Sequence, residues 1–430
     1  MIPRLLHRFA VFTAALTLVL LGAGGLVTSH GVGMAVPDWP NTFGYNMFFF
    51  PISQWVGGVF YEHSHRLIAS VTGLCTSILA LWLYGRNARP FLRWSGGTLV
   101  LVSLLTLVAR PGHRADAVVA GFSGLAALVG SFGWPRCEPA KPWLRRLGLA
   151  AFFAVVLQGV LGGLRVVLFK DQIGIFHATL AQLFFALTCA LALFTSSWWA
   201  KRFGSPWAQA GESAQGAGLS LPQESVRPVE ASEPSIRLVW FCVGGTLLIL
   251  AQLVLGATMR HQHAGLAIPD FPTAYGKFWP AMDSQSVAIY NQHRIEVVDL
   301  NPITSLQIAL QMVHRVGALL ILIAIASSAW LARRGPGPKS LYGKLTLAWL
   351  ALVLVQGFLG AATIWSNKAA DIATTHVLTG ALSLALGTCL CIILLTEAGL
   401  VRQSSQSSTA SATRPRSSFG TTPSPALGLD

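Results

Sequence analysis

Apolar runs of about 18 or more residues recur along the whole of this chain, and each is long enough to cross a bilayer as a helix. Composition agrees with that pattern: 53% of the residues are hydrophobic and 11% are charged, against roughly twice that charged fraction in a soluble domain. The chain therefore reads as an all-α polytopic membrane protein in contact with lipid. The first run, residues 9–27, is too long for the apolar core of a secretion signal and lacks a convincing cleavage site. It is expected to be the first span and not a removable leader.

The formal net charge is +14. In a soluble protein this would suggest nucleic acid. Here Lys and Arg gather in loops that a positive-inside arrangement puts in the cytoplasm, with both termini on that side, and no nucleic-acid partner is expected. The six cysteines, Cys75, Cys137, Cys189, Cys242, Cys389 and Cys391, lie mostly inside apolar runs. They show no metal-type spacing and read as core filler.

Taken in order, the first span is followed by an outer loop to about residue 60 that contains no Lys or Arg. A second span starts at Glu62. Residues 94–109 and 115–132 read as an inserted hairpin of two short spans. Two further spans cover residues 147–167 and 173–196. The stretch from Gly204 to about Ser235 is rich in Ser, Gly, Gln, Glu and Pro and is expected to be a flexible cytoplasmic linker. Four more spans follow at residues 238–258, 306–331, 345–364 and 372–395. The Ser-, Thr- and Pro-rich tail from Arg402 is expected to be disordered. The domain reading is a first bundle at 1–203 with an insert at about 94–132, a linker at 204–236, a second bundle at 237–401 and a tail at 402–430.

The two halves repeat. Pro37-Asp38-Trp39-Pro40 pairs with Pro269-Asp270-Phe271-Pro272, and His65-Arg66 with His314-Arg315. Gln158-Gly159-Val160-Leu161-Gly162 pairs with Gln356-Gly357-Phe358-Leu359-Gly360, and His177 with His376. Four landmarks in one order point to an internal repeat. With an even number of core spans each, the halves share one orientation about an axis along the membrane normal. The expected fold is two tandem, pseudo-symmetric four-helix transmembrane bundles, with an extra two-span hairpin in the first half.

On this topology His65, His177, His314 and His376 all open helices that enter from the outer face. Within each half, one histidine can face the other across a bundle core, which is how bundles build cofactor sites. Two facing imidazoles suit bis-histidine haem, whereas zinc or copper generally takes more ligands. His30, His261, His263 and His293 fall in outer loops and read as solvated. Gly159, Gly162, Gly163, Gly357 and Gly360 would let either a planar ligand or a neighbouring helix approach closely. Arg66 and Arg315 are placed to meet haem propionates or lipid headgroups.

Glu62 breaks the symmetry, because Gln311 stands at the matching position of the second half. An acid near a helix N-terminus is favoured by the dipole alone. Read functionally, it could take a proton or stabilise positive charge developing on a substrate. The first site would then do chemistry and the second only hold a cofactor.

These residues resemble the haem A synthase family of bacteria and mitochondria, over roughly residues 9–200 and 238–397. Glu62-His63-Ser64-His65-Arg66 matches the family's Glu-x-x-His-Arg motif. Gln158-Gly159 with Gly162-Gly163, His177, His314-Arg315 and His376 match its other landmarks. The resemblance implies a haem-dependent membrane oxidoreductase. Its reaction would be oxidation of a haem O methyl group to the formyl group of haem A, for biogenesis of a cytochrome c oxidase-type terminal oxidase. It implies haem b on His314 and His376, substrate haem O on His65 and His177 with Arg66, and a catalytic Glu62. Implied partners are haem O synthase, oxidase assembly factors and an electron acceptor. The implied location is the bacterial plasma membrane, with the haem sites toward the outer face. Two features depart from the family: residues 29–60 contain no cysteine pair, and the 94–132 insert lies outside its eight-span pattern. Two rival readings of the histidines are a dihaem b-type cytochrome acting on quinol and a haem carrier.

Overall fold

A computed structural model describes residues 2–168, 170–207, 235–293 and 302–412. Among them the regular structure is helical throughout: α1 (Ile2–Ser29), α2 (Gly57–Leu83), α3 (Ala88–Ala109), α4 (Arg114–Gly133), α5 (Pro142–Leu168), α6 (Asp171–Thr195), α7 (Ser197–Phe203), α8 (Ile236–His261), α9 (Ser284–Gln292), α10 (Ser305–Arg334), α11 (Leu341–Trp365) and α12 (Ala370–Ala412). Ten helices among the described residues are long and apolar enough to cross a membrane, and the protein is a multi-pass membrane protein.

The helix starts are fixed locally. Thr304 and Gln307 form a reciprocal capping box at α10, while Ser235 and Ser340 cap α8 and α11. These side chains satisfy amides that have no partner within the helix. Inside the spans, Thr13, Thr17, Thr72 and Thr76 donate to the carbonyl four residues back. Their hydroxyls therefore enter the apolar layer already bonded.

Packing closes two rings. Helix α1 packs on α2, α2 on α5, α5 on α6 and α6 back on α1. In the second half α8 packs on α10, α10 on α11, α11 on α12 and α12 on α8. The rings join along a seam of α1 and α6 against α12, with α6 also touching α8. Helices α6 and α12 are the most enclosed spans, since they face both a bundle interior and the other half. At the end of the seam away from the histidines, Arg202 donates to Glu397 at 2.6 Å and the Tyr342 hydroxyl bonds the same carboxylate.

The insert forms the hairpin α3–α4, packed chiefly on itself. A Cβ on Gly96 would stand 2.8 Å from the Gly124 carbonyl oxygen, so only glycine allows this crossing. Ser103 donates to the Ala117 carbonyl at 2.7 Å. Trp134 ties the hairpin to the end of α2 by donating to the Gly85 carbonyl at 3.1 Å.

Several boundaries differ from expectation. Helix α2 begins at Gly57, so the Glu62 motif lies in its second turn and not at its start. Helix α9 lies within the expected second outer loop, and α7 continues the first bundle past its last expected span, which ended at residue 196. Helix α12 continues to Ala412, past Arg402, because no proline intervenes before Pro415. Most of the expected linker, residues 208–234, and the tail from residue 413 lie outside the described residues.

Candidate functional site

His65 is the ninth residue of α2 and His314 the tenth of α10. His177 and His376 are each the seventh residue of their helices, α6 and α12. All four helices start at the same end of the molecule, so the histidines occupy one level. His177 lies within electrostatic range of His65, and His314 within range of His376. Each ring thus holds one pair, contributed by α2 and α6 in the first and by α10 and α12 in the second.

Every one of these imidazoles lies against a glycine of a neighbouring helix. A Cβ built on Gly24 would stand 3.0 Å from His65 Cε1, and one on Gly162 would stand 3.3 Å from His177 Cε1. The matching values are 3.4 Å from Gly256 to His314 and 3.2 Å from Gly360 to His376. Gly162 and Gly360 stood out in the sequence; Gly24 on α1 and Gly256 on α8 did not. They could have been found from the repeat, since the spacing that superposes Pro37 on Pro269 also superposes Gly24 on Gly256. Gly163 serves another contact, with the Trp39 ring of the first outer loop. Gly159 and Gly357 have open space where a Cβ would be.

The ring nitrogens test what these pairs can hold. Nδ1 of His314 is buried without a hydrogen-bond partner, a state that costs about 1–3 kcal/mol, while the backbone of Leu20 and of Gln158 lies beside the His65 and His177 rings. His376 Nδ1 has the Gln356 carbonyl at 3.2 Å. Gln158 and Gln252 fix the backbone at two histidines by donating to the carbonyls of His177 at 3.0 Å and His314 at 2.7 Å. Among the described residues no group of three or more His, Cys, Asp or Glu side chains converges. Two imidazoles per ring, each facing a glycine, with no third or fourth His, Cys, Asp or Glu converging on them among the described residues, fit a flat group held between two histidines and do not fit a zinc-type cage.

Glu62 and Arg66 are spent on the first outer loop. Their side chains are 5% and 10% exposed and pair at 2.7 Å. Glu62 Oε2 accepts the Val36 amide at 2.9 Å. Arg66 donates to the carbonyls of Asp38 at 2.7 Å, Asn41 at 2.9 Å and Val36 at 2.9 Å. The second half repeats this latch. Gln311 Oε1 accepts the Ile268 amide at 2.6 Å, and Arg315 donates to the carbonyls of Thr273 at 2.8 Å and Asp270 at 2.7 Å. The propionate or headgroup roles expected of Arg66 and Arg315 thus compete with loop carbonyls for the same terminal nitrogens.

The loops themselves are copies. Asp38 accepts the amides of Phe43 and Gly44, each at 2.8 Å. Asp270 accepts those of Tyr275 at 2.7 Å and Gly276 at 2.9 Å. Burial alone would raise the Asp270 pKa, but the hydrogen bonds from Gly276, Thr273 and Tyr275 outweigh it and hold the carboxyl below its ordinary range.

One histidine reading is corrected. His261 is not a solvated loop residue: it closes α8, is 7% exposed and packs on Gly174 of α6. The apolar run ends near Thr258, but the helix continues one more turn into the seam. His30, His263 and His293 are exposed, and His30 stacks on Tyr61 with ring centroids 4.6 Å apart. His63, beside Glu62, is fully buried, with Thr42 Oγ1 at 3.2 Å from Nδ1.

Comparison with known proteins gives this arrangement a family. The COX15-CtaA model, described as cytochrome oxidase assembly protein, matches residues 112–388. The chain belongs to this family. The COX15-CtaA match takes in His177, His314 and His376 and begins after Glu62 and His65. The chain is also 27% identical over 228 residues to a protein named Heme A synthase from Symbiobacterium thermophilum, covering 52% of this chain and 58% of that one. It is 32% identical over 122 residues to a Heme A synthase from Shouchella clausii, covering 28% of this chain and 38% of that one. The chain spans less than two thirds of the length of either relative.

Proposed function

We propose that this protein oxidises the methyl group of haem O to the formyl group of haem A, serving assembly of a cytochrome c oxidase-type terminal oxidase. The observation that carries the reading is the duplicated histidine pair, each imidazole facing a glycine, with a carboxylate latch in one half and a neutral amide in the other. Its support outside the molecule is the COX15-CtaA family and the two relatives named Heme A synthase.

His314 and His376 would hold haem b, and His65 and His177 would hold substrate haem O. A bound haem b supplies a one-electron centre beside the substrate site. The chain's own residues do the rest. The histidine pairs would hold the two groups, and the glycines opposite keep space at the imidazoles. The latched outer loop excludes water from the first ring. Turning a methyl into a formyl group with the oxygen atom of one water releases four electrons and four protons, so an electron acceptor outside this chain must take the electrons and a proton acceptor near the substrate edge is required. Glu62 is one helical turn from His65, and its carboxylate oxygens retain accepting capacity beyond Val36 and Arg66. It takes a proton or stabilises positive charge on the substrate. Gln311 holds the second loop equally well but cannot do this, which makes the second site a holder.

The proposed location is the bacterial plasma membrane, with both termini cytoplasmic and the histidine level toward the outer face. Haem O synthase and oxidase assembly factors are the proposed partners.

The test is extraction and chromatography of haems from membranes that co-express this chain with a haem O supply. Haem A, or its hydroxylated precursor, should appear only when the chain is present. Haem b alone, with haem O untouched and the chain folded, would point to an electron-transfer cytochrome.

A further inference from the structure

A cleft of about 440 Å³ lies between α10 and α11, at the end of the second ring away from the histidines. On α10 it is lined by Ala326, Ala329, Trp330, Arg333 and Arg334, and on α11 by Leu347 and Leu350. Ala326, Ala329, Trp330 and Arg333 recur at helical spacing, so one face of α10 forms its wall. The two alanines leave open a space that larger side chains would fill. Trp330 is 54% exposed and Leu347 47%, so the cleft faces out of the bundle and not into its core.

The lining is graded along the helix axis. From Ala326 to Arg333 the axis rises about 10 Å. Ala326, Ala329 and Leu350 line the deep end, Trp330 the middle, and Arg333 and Arg334 the mouth. Helix α10 has 30 residues, about 45 Å of helix, against a hydrocarbon layer of about 30 Å. Its last turn, with both arginines, therefore reaches the headgroup region. Apolar wall, interfacial aromatic ring and cations follow the order of a phospholipid's chain, glycerol and phosphate.

The charge around the cleft has one sign. Arg333 and Arg334 lie in the last turn of α10, and the Arg334 guanidinium stands over the Trp330 ring, 4.8 Å from its centroid. None of the described ion pairs involves either arginine. From Ser305 to Trp365 the chain contains no Asp or Glu, while Lys339 and Lys344 flank the turn between the helices. Glu397, which reaches Tyr342 at the start of α11, is taken up by Arg202. The helix dipole and the bias of cations toward one membrane side account for the charges, but not for a cleft whose mouth they line. Nor does the repeat supply it. Counting from His65 and His314, Trp330, Arg333 and Arg334 stand opposite Leu81, Tyr84 and Gly85, and Arg86 just beyond them pairs with Glu138 at 3.0 Å.

We propose that this cleft binds one anionic phospholipid, with its phosphate on Arg333 and Arg334 and an acyl chain along Ala326, Ala329 and Leu350. Guanidinium suits the task because it stays charged and meets a phosphate with two parallel donors. Basic pockets between spans are a recurrent form of headgroup site. The orientation proposed above puts this one in the cytoplasmic leaflet. The site is independent of the haem chemistry.

The experiment titrates the full-length protein in detergent with dioleoyl phosphatidylglycerol or dioleoyl phosphatidylcholine and reads the first bound lipid by native mass spectrometry. Unaltered protein should bind phosphatidylglycerol about tenfold or more tightly than phosphatidylcholine, the scale of two cations meeting an anionic headgroup. Equal affinity would overturn the proposal without any variant. Arg333→Gln combined with Arg334→Gln should abolish the preference and leave phosphatidylcholine binding unchanged, and the paired lysine substitutions should restore part of it. Ala326→Phe fills the cleft without altering charge and should weaken phosphatidylglycerol binding by a similar factor. Lys201→Gln removes a cation of α7 at the same end of the molecule and should change nothing. An equal loss in Lys201→Gln, or full binding in Ala326→Phe, would make this a diffuse basic face and overturn the cleft. Displacement by glycerol phosphate at equal concentration would make it a free-anion site and overturn the lipid assignment.

Discussion

Glu62 Oε2 accepts the backbone amide of Val36 at 2.9 Å. At the matching point of the second half, Gln311 accepts the amide of Ile268 at 2.6 Å. Holding the loop thus requires an acceptor of this shape and not a charge. Glu62→Gln should keep the fold and the bound haem while lowering haem A formation by about 10²–10⁴-fold, the range for a lost general acid–base group. Chromatography of extracted haems measures it, and an unchanged yield would take Glu62 out of the mechanism.

Removing the cation has a different cost in each half. Arg66→Gln leaves the buried Glu62 carboxylate unpaired, at about 3–5 kcal/mol. Arg315→Gln leaves only carbonyls unpaired beside neutral Gln311, at about 1–3 kcal/mol. Thermal unfolding should rank Arg66→Gln as the weaker protein, and adding Glu62→Gln should recover part of the loss. Equal destabilisation by the two arginine variants would contradict the charged latch.

The glycines opposite the histidines give a site-specific test. Gly360→Leu pushes a side chain into the His376 ring, and Gly162→Leu does the same at His177. The reduced absorption spectrum should lose its low-spin haem b signal in Gly360→Leu and in His314→Ala, and keep it in Gly162→Leu. Retention of that signal in both Gly360→Leu and His314→Ala would separate haem b from the second ring.

Asp270 sets a pH dependence. Its pKa is lowered on folding, so its stabilising contribution is present above the unfolded value, about 3.9, and is lost as pH falls through the folded value. Stability of the outer loop should fall on acidification below about pH 4, with a smaller slope in Asp270→Asn. Protease cutting within residues 265–280 follows it; identical slopes would remove Asp270 as the source.

Much of this was legible from spacing. Long apolar runs required spanning helices, and the recurrence of Pro-Asp-x-Pro, His-Arg and Gln-Gly in one order required a repeat. The four histidines fell at one level because each lies close to the start of a helix that enters from the same side. What stayed hidden was direction. Arg66 announces a charge but not that it points back to loop carbonyls. Arg260 resembles an orientation signal until the halves are docked and its guanidinium donates to the Gly25 carbonyl of α1, since the seam between α1, α6, α8 and α12 has no counterpart in a linear pattern. Gly24 and Gly256 are paired by the repeat, but a glycine in an apolar run does not say which side chain it faces until the opposite helix is known. His261 was lost to a boundary, one helical turn beyond the last apolar residue.

The duplicated latch gives the molecule a built-in reference. Whatever both halves keep, such as the aspartate that ties each outer loop or the glycine at each imidazole, serves as scaffold. On the proposed function, what only one half keeps is where the copies would divide their labour: Glu62 against Gln311, His63 against Met312, and the α3–α4 hairpin against a plain loop. Exchanging those positions between halves, one at a time, would ask whether a holding site can be turned into a reacting one inside a single chain.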